Sequence, residues 1–391
     1  MPVKLDVHGE AVLKLRRGTA IVYRKWISGG DGLSAASLVE LYAKGEPVGC
    51  GLWESRGPVA VRVLEHGRCS HRDPVDMVHY RLESSLRARE RMNITYMGSY
   101  RLVNSDGDLL SGLIVDVYND VAVIQSSSTA MDALMDEIAR ILIKLAGVSH
   151  VYEKSLQRSR REIGLEPRAR WLAGRREEVI IEEGGARFIV DVVRGQKTGF
   201  FLDQRPNRLE LARITGEGDR VLDVFSYTGG FGIHAAISGA REVTFIEEDP
   251  VAVSILKRNL ELNGVRRYNI IHDSVWRVRN SIPEGRFDIV IVDPPAFIQE
   301  GSKSSIMKGV KAYRKIYLWA TGKASKSSTI YLSSCSYFLK RDMYIKIISE
   351  VMSLKVGEYK IMGSIRGSGP DHVFRGEEYL DYLKGAFIYI G

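Results

Sequence analysis

The 391-residue chain has few cysteines and no long apolar run, and each shortage removes a class of protein. Its three cysteines, Cys50, Cys69 and Cys335, form no even-numbered framework and no Cys-x-x-Cys pair. The sequence therefore supports neither a disulfide scaffold nor a metal site of the zinc type. No stretch approaches the roughly 20 apolar residues of a membrane span, and the amino end lacks a signal-peptide core. A cytoplasmic protein without membrane contact is the expectation. Internal repeats and low-complexity linkers are missing too. What is present is 45% hydrophobic residues, enough for real cores, and a net charge of +8, which favours a polyanionic partner.

At this length two or three domains are expected. The first seventy or so residues carry short β-like runs, Ala11 to Leu15, Ser37 to Tyr42 and Val59 to Leu64, between glycine turns, which predicts a small β-barrel. Its segments Arg16-Arg17-Gly18 and Tyr23-Arg24-Lys25-Trp26 interleave cations with aromatics. That pattern suits phosphate contact with stacking on an unpaired base, or a solvated edge. From Pro74 to Glu183 the pattern changes to a charged helix, Asp76 to Met92, then strands at 99–102, 113–117 and 121–126. A helix from Met131 to Ala146 follows, with Leu134, Ile138, Ile141, Leu142 and Leu145 at helical spacing. Arg158-Ser159-Arg160-Arg161 is the densest basic cluster, a phosphate contact or a solvated loop. From Gly185 onward, strands at 221–225, 243–247, 270–272, 288–293 and 330–333 alternate with helices, the signature of an α/β doubly wound parallel sheet. The run 385–390 is expected as a last strand, antiparallel at the end of the order.

The chemistry concentrates in that last region. Arg220 to Phe225 reads as a buried strand carrying Asp223, followed by the turn Ser226-Tyr227-Thr228-Gly229-Gly230 and a helix. Open α/β sheets bind ligands at this carboxyl edge. The glycines lack the spacing of a pyrophosphate cradle, and no Lys-Ser/Thr follows as in a P-loop. Two more acids, Glu247 and Asp273, close later strands. Carboxylates repel phosphates but suit ribose hydroxyls, an adenine amino group and a cationic sulfonium. S-adenosylmethionine is therefore a better expectation than NAD or ATP, with Asp223, Ser226, Thr228, Gly229, Gly230, Glu247 and Asp273 as candidate contacts.

Three further segments frame that edge. Phe287 to Val292 ends in Asp293-Pro294-Pro295, whose prolines fix a rigid extended loop. Cys335 follows the fifth strand among hydroxyl residues; it is a small buried hydrophobe or a thiolate nucleophile able to attack C6 of a pyrimidine. Ahead of the sheet runs Arg194 to Arg208, in which Phe201 is a candidate to pack on the cofactor and Arg205 to neutralise a carboxylate or phosphate, helix caps being the alternative for each.

Taken in order, Gln196-Lys197-Thr198-Gly199 with Leu202-Asp203-Gln204-Arg205, Phe225 to Phe231, Asp293-Pro294-Pro295, Ser334-Cys335-Ser336 and Tyr382-Leu383-Lys384-Gly385 resemble the large-subunit ribosomal RNA cytosine-5 methyltransferases and their archaeal relatives. Tyr100 to Asp108 and Gly112 to Asp116 look like that family's middle domain. The resemblance implies a PUA RNA-binding domain at 1–72, a central α+β domain at 73–184 and a class I Rossmann-like methyltransferase domain at 185–391. It implies Cys335 as nucleophile, Asp293 near the target base, and RNA, expected to be ribosomal, as partner, with a homodimer as a further expectation. Ala296 stands where many bacterial members have a lysine, and Ala35-Ala36-Ser37 departs from a strong PUA signature. Two other readings stay open: methyl transfer to a purine nitrogen with Cys335 as packing, and an RNA-binding assembly factor without turnover.

Overall fold

The structure is a computed structural model and describes residues 1–376 and 378–391. The chain divides into two compact units: Met1–Ile181 with Val190–Leu202 and Pro370–Glu377, and Glu182–Ile189 with Asp203–Gly369 and Glu378–Gly391. The segments expected as a barrel and a central domain thus fall in one unit. They also share a core, in which Leu38, Cys50, Leu52 and Leu64 join Met77, Leu82, Leu113 and Ile138.

In the first unit, six short strands between Val3 and Glu65 form one sheet, in the order 21–23, 59–65, 46–53, 38–43, 3–7, 27–28. Residues 11–15, expected as a strand, are instead part of the helix Glu10–Arg16. Ala11 and Leu15, four apart, are both buried, while Glu10 and Lys14 pair on the outer face at 3.3 Å. That spacing puts each pair on one helical face, and alternation alone had hidden it. A second departure is covalent. Cys50 and Cys69 form a disulfide, their Cα atoms 5.1 Å apart, across 19 positions whose spacing matches no motif.

The rest of this unit is a five-stranded sheet, Ser99–Asn104, Leu113–Tyr118, Val121–Ser126, His150–Ser155 and Arg168–Ala173, each strand beside the next. The helix Pro74–Arg91 starts at Asp73, whose carboxylate accepts from Val75 N–H at 2.7 Å, with proline at the first helical position. The single expected helix at 131–146 is two, Thr129–Ala133 and Met135–Leu145.

The second unit is built on a seven-stranded sheet whose strands we number β1 (Arg220–Val224), β2 (Glu242–Glu247), β3 (Tyr268–His272), β4 (Phe287–Val292), β5 (Ala324–Ser334), β6 (Tyr359–Ile361) and β7 (Lys384–Ile390). Their order is 3-2-1-4-5-7-6. The first five are parallel, and β7 runs antiparallel between β5 and β6. The closing strand is therefore antiparallel as expected but penultimate, because the short β6 takes the edge. Helices Gly230–Ile237, Pro250–Leu262, Lys303–Thr321 and Arg341–Lys355 connect the strands. Strands β1 and β4 are almost wholly buried, as central parallel strands covered on both faces must be. Among the described residues no helix is long and apolar enough to cross a membrane, and no acid, His and Cys cluster could hold a metal ion.

Candidate active site

The register lays four strand ends side by side: Val224 pairs with Ile246 and Val292, and Val292 with Leu332. The carboxyl edge therefore presents Asp223, Glu247, Asp293 and Cys335 on one rim. Asp223 accepts from Gly232 N–H at 2.8 Å, which ties β1 to the first turn of the following helix. Burial pushes its carboxyl up to about 7, against the Gly232 bond and with added repulsion from Asp293 and Glu247. Glu247 takes three backbone N–H groups, from Tyr227 at 2.7 Å and from Glu248 and Asp249 at 2.9 Å. Burial still raises its pKa.

The turn between them is conformationally demanding. Phe225, Tyr227 and Gly229 have φ of 62°, 51° and 89°, a region non-glycine residues rarely adopt. Such backbone persists where surrounding structure over-determines it and clusters at functional sites. A Cβ on Gly229 would come within 2.4 Å of Leu256, and one on Gly232 within 2.3 Å of the Phe245 ring. These glycines serve close helix packing against β2 and the helix 250–262. The Thr228 hydroxyl is buried with no hydrogen-bond partner among the described residues.

Asp293 is the best-organised acid. Its Oδ1 accepts from Gln204 Nε2 at 2.8 Å and from the Ser333 hydroxyl. Gln204 Oε1 in turn accepts from Asn207 at 2.6 Å and Tyr331 at 3.0 Å, which fixes the amide so that its nitrogen faces Asp293. Burial raises the Asp293 carboxyl to about 6. Its second oxygen takes no hydrogen bond among the described residues. Sequence reasoning missed Gln204 and Ser333 as supports; Gln204 lay inside a recognised motif, but only the fold brings it to Asp293. Cys335 is partly exposed just past β5, its Sγ 3.8 Å from the Pro294 carbonyl. The thiol and the Asp-Pro-Pro loop are therefore neighbours, although 41 positions apart.

Other expected residues go elsewhere. Arg205, expected to neutralise a ligand anion, is buried and donates to Glu183 at 2.9 Å; Arg208 and His234 bind the same carboxylate at 2.6 and 3.1 Å. Burial pushes Glu183 up, but Arg208, His234 and Arg205 hold it well below the usual range. Asp273 is half-exposed and already engaged by Ser274 N–H and the Arg277 guanidinium, which keep its carboxyl low. Phe201 belongs to the first unit, with Lys197 Nζ over its ring at 4.9 Å. In the basic cluster, Arg160 is fully buried on Asp132 at 2.6 Å and Arg158 pairs with Glu162 at 3.0 Å, so these two positions serve local structure. Arg24 is likewise tied down, donating to Glu54 O at 2.6 Å and lying over Trp53.

The remaining set suits a cationic nucleoside. Asp223 and Glu247 supply negative charge, the Thr228 hydroxyl has no partner among the described residues, and the 225–229 turn brings backbone to the rim. An open sheet in this order, with acids at adjacent strand ends around a glycine turn, defines a class I methyltransferase using S-adenosylmethionine. The S-adenosylmethionine-dependent methyltransferase family matches residues 110–323, a PUA-like domain matches 5–66, and the chain belongs to that methyltransferase family.

Its relatives extend the likeness over the whole chain. A Methanocaldococcus jannaschii protein provisionally named a ribosomal RNA large subunit methyltransferase is 34% identical, covering 98% of each chain. Ribosomal RNA large subunit methyltransferase I of Aeromonas hydrophila is 32% identical over 90% of this chain and 89% of its own. Among solved structures, a provisionally assigned S-adenosylmethionine-dependent methyltransferase from Streptococcus mutans superimposes with a TM-score of 0.79 at 22% identity, covering 99% of this chain and 100% of that one. A second, complexed with S-adenosylhomocysteine, gives 0.80 at 22% identity over the same shares. At that identity they establish the shared fold.

Proposed function

We propose that this protein methylates carbon 5 of a cytosine in structured RNA, ribosomal RNA in the first instance, through a covalent adduct of Cys335. The observation that carries the reading is Cys335 itself, partly exposed on the ligand rim beside the Asp293-Pro294-Pro295 loop. The relatives' names supply the ribosomal substrate, and the net charge of +8 suits a polyanion.

S-adenosylmethionine supplies an electrophilic methyl group, held by Asp223, Glu247 and the Thr228 turn. Carbon 5 of cytosine is too weak a nucleophile to accept it unaided. The Cys335 thiolate adds to C6, and the electron pair released toward C5 makes that carbon enamine-like. After methylation C5 carries both a proton and the methyl group. A base must remove the proton so that the C5–C6 double bond re-forms and the thiolate leaves. Asp293 offers its second carboxylate oxygen to the N3 and amino edge of the base, while Gln204 and Ser333 hold the first.

The test is tritium release from 5-tritiated cytidine RNA under single turnover, with trapping on 5-fluorocytosine RNA. Cys335→Ala should abolish release and trapping while retaining S-adenosylmethionine binding, since a small rim side chain leaves little cavity. Methylation by Cys335→Ala near the wild-type rate overturns nucleophilic catalysis and restores transfer to a purine nitrogen. Absence of methylation and of RNA binding by the wild type on every RNA supports neither enzyme reading.

A further inference from the structure

The mechanism above leaves one buried cation beside the nucleophile without a task. Lys384 opens β7 opposite Ser334 in the antiparallel register, one residue before Cys335. It is 6% exposed, and its Nζ donates to the carbonyls of Ser336 at 3.0 Å and Tyr382 at 2.6 Å. The ammonium is thus fastened to the residue following the thiol, and Cys335 lies within its electrostatic reach. Two carbonyl dipoles compensate a buried ammonium only in part, because its hydration is lost and neither carries a full negative charge. A thiolate at Cys335 would.

Among the surrounding charges Asp381 favours the ammonium most and Cys335 next. Asp381 favours the ammonium from the surface-exposed loop before β7, while Lys340, in the turn after β5, opposes it. Lys340 is itself paired with Glu378 at 2.8 Å. A cavity of about 230 Å³ includes Lys384 and Asp381 in its lining, and the same lining brings Arg341 and Arg366, so cations outnumber acids there. From the helix 303–321 the Tyr313 phenol also feels Cys335, and burial raises it to about 12, so it stays protonated. Burial lowers Lys384 to about 8, which leaves it mostly charged at neutral pH.

We propose that Lys384 is a positioning residue for Cys335, its buried ammonium stabilising the thiolate and fixing the peptide after it. This rests on Cys335 being the nucleophile, yet it can be tested without RNA. Cys50 and Cys69 are joined, so under non-reducing conditions Cys335 is the cysteine open to alkylation. Its rate with iodoacetamide against pH reports the thiolate fraction. In the wild type the profile should have its midpoint below the ordinary thiol value of about 8.5. Lys384→Met should move the midpoint up by about one unit or more, which slows alkylation at pH 7 about tenfold. Lys384→Arg should recover most of the rate, and calorimetry should find S-adenosylmethionine affinity close to wild type in both variants.

A wild-type midpoint at or above about 8.5 overturns the proposal, and so does a Lys384→Met profile superimposed on the wild type. If Lys384→Met does not fold, the wild-type and Lys384→Arg profiles decide. A failed nucleophile would instead appear as methylation by Cys335→Ala, whatever the alkylation profile.

Discussion

Proton release on cofactor binding follows directly from the crowding of acids at the rim. Asp223 is raised to about 7 by burial, with Asp293 and Glu247 adding repulsion, and Asp293 is raised to about 6. In the free protein, raised carboxyl values mean that the folded state holds protons the unfolded chain would release. Their contribution to stability is therefore full below the unfolded value of about 3.9 and is lost as pH rises toward the folded ones. A sulfonium cation reverses the preference by favouring the ionised form, so binding should expel a proton. With a free-state value near 7, Asp223 is about nine-tenths ionised at pH 8 and about one-tenth at pH 6. Affinity for S-adenosylmethionine should accordingly fall about tenfold, or about 1.4 kcal/mol, between those pH values. Calorimetry at pH 6 in two buffers of different ionisation enthalpy should register close to one proton released. S-adenosylhomocysteine, which lacks the sulfonium charge, should show a weaker dependence, and Asp223→Asn should flatten it. Equal heats in both buffers with unchanged affinity from pH 6 to 8 would refute the argument.

Two stability predictions concern parts of the chain whose role the sequence did not disclose. Glu183→Gln leaves Arg205, Arg208 and His234 buried without their shared anion and should cost about 3–5 kcal/mol in denaturant unfolding; a loss under about 1 kcal/mol contradicts this accounting. Reducing Cys50–Cys69, which closes a loop across 19 positions, should remove about 3 kcal/mol, read as a lower melting temperature in a reductant that leaves Cys50→Ser/Cys69→Ser unaffected.

The second unit was legible because its central strands are unambiguous. A buried parallel strand is a continuous apolar run that ends where the chain meets solvent, and Ile289 to Val292 followed by Asp293-Pro294 has both marks. Strand β6 was missed for the opposite reason: Tyr359–Ile361 is three residues at a sheet edge, too short to show a period. Residues 11–15 show the limit of alternation, since Ala-Val-Leu-Lys-Leu fits a strand and a helix equally until burial of Ala11 and Leu15 decides. The disulfide was hidden because spacing says nothing about proximity. Cys50 lies in a central strand and Cys69 beyond the next one, and only the fold brings them together.

At the rim the sequence revealed which residues carry charge but not which charges are already satisfied. Asp223, Glu247, Asp293 and Cys335 stand at strand ends, where topology alone places them together. Arg205 and Arg160 looked like ligand contacts for the same reason any arginine does, yet each is buried against a carboxylate distant in sequence, Glu183 and Asp132. The distinction is physical: a buried guanidinium must be compensated within the fold, so its partner is protein unless a ligand enters. Asp293 shows the converse. Gln204 and Ser333 both use one of its oxygens, Tyr331 and Asn207 prevent the Gln204 amide from turning, and the second oxygen takes no hydrogen bond among the described residues. Four residues from two parts of the chain orient one carboxylate whose second oxygen serves no fold contact among the described residues. Such an arrangement costs stability unless a ligand completes it, and that is the physical ground for the proposal that the target base sits beside Asp293.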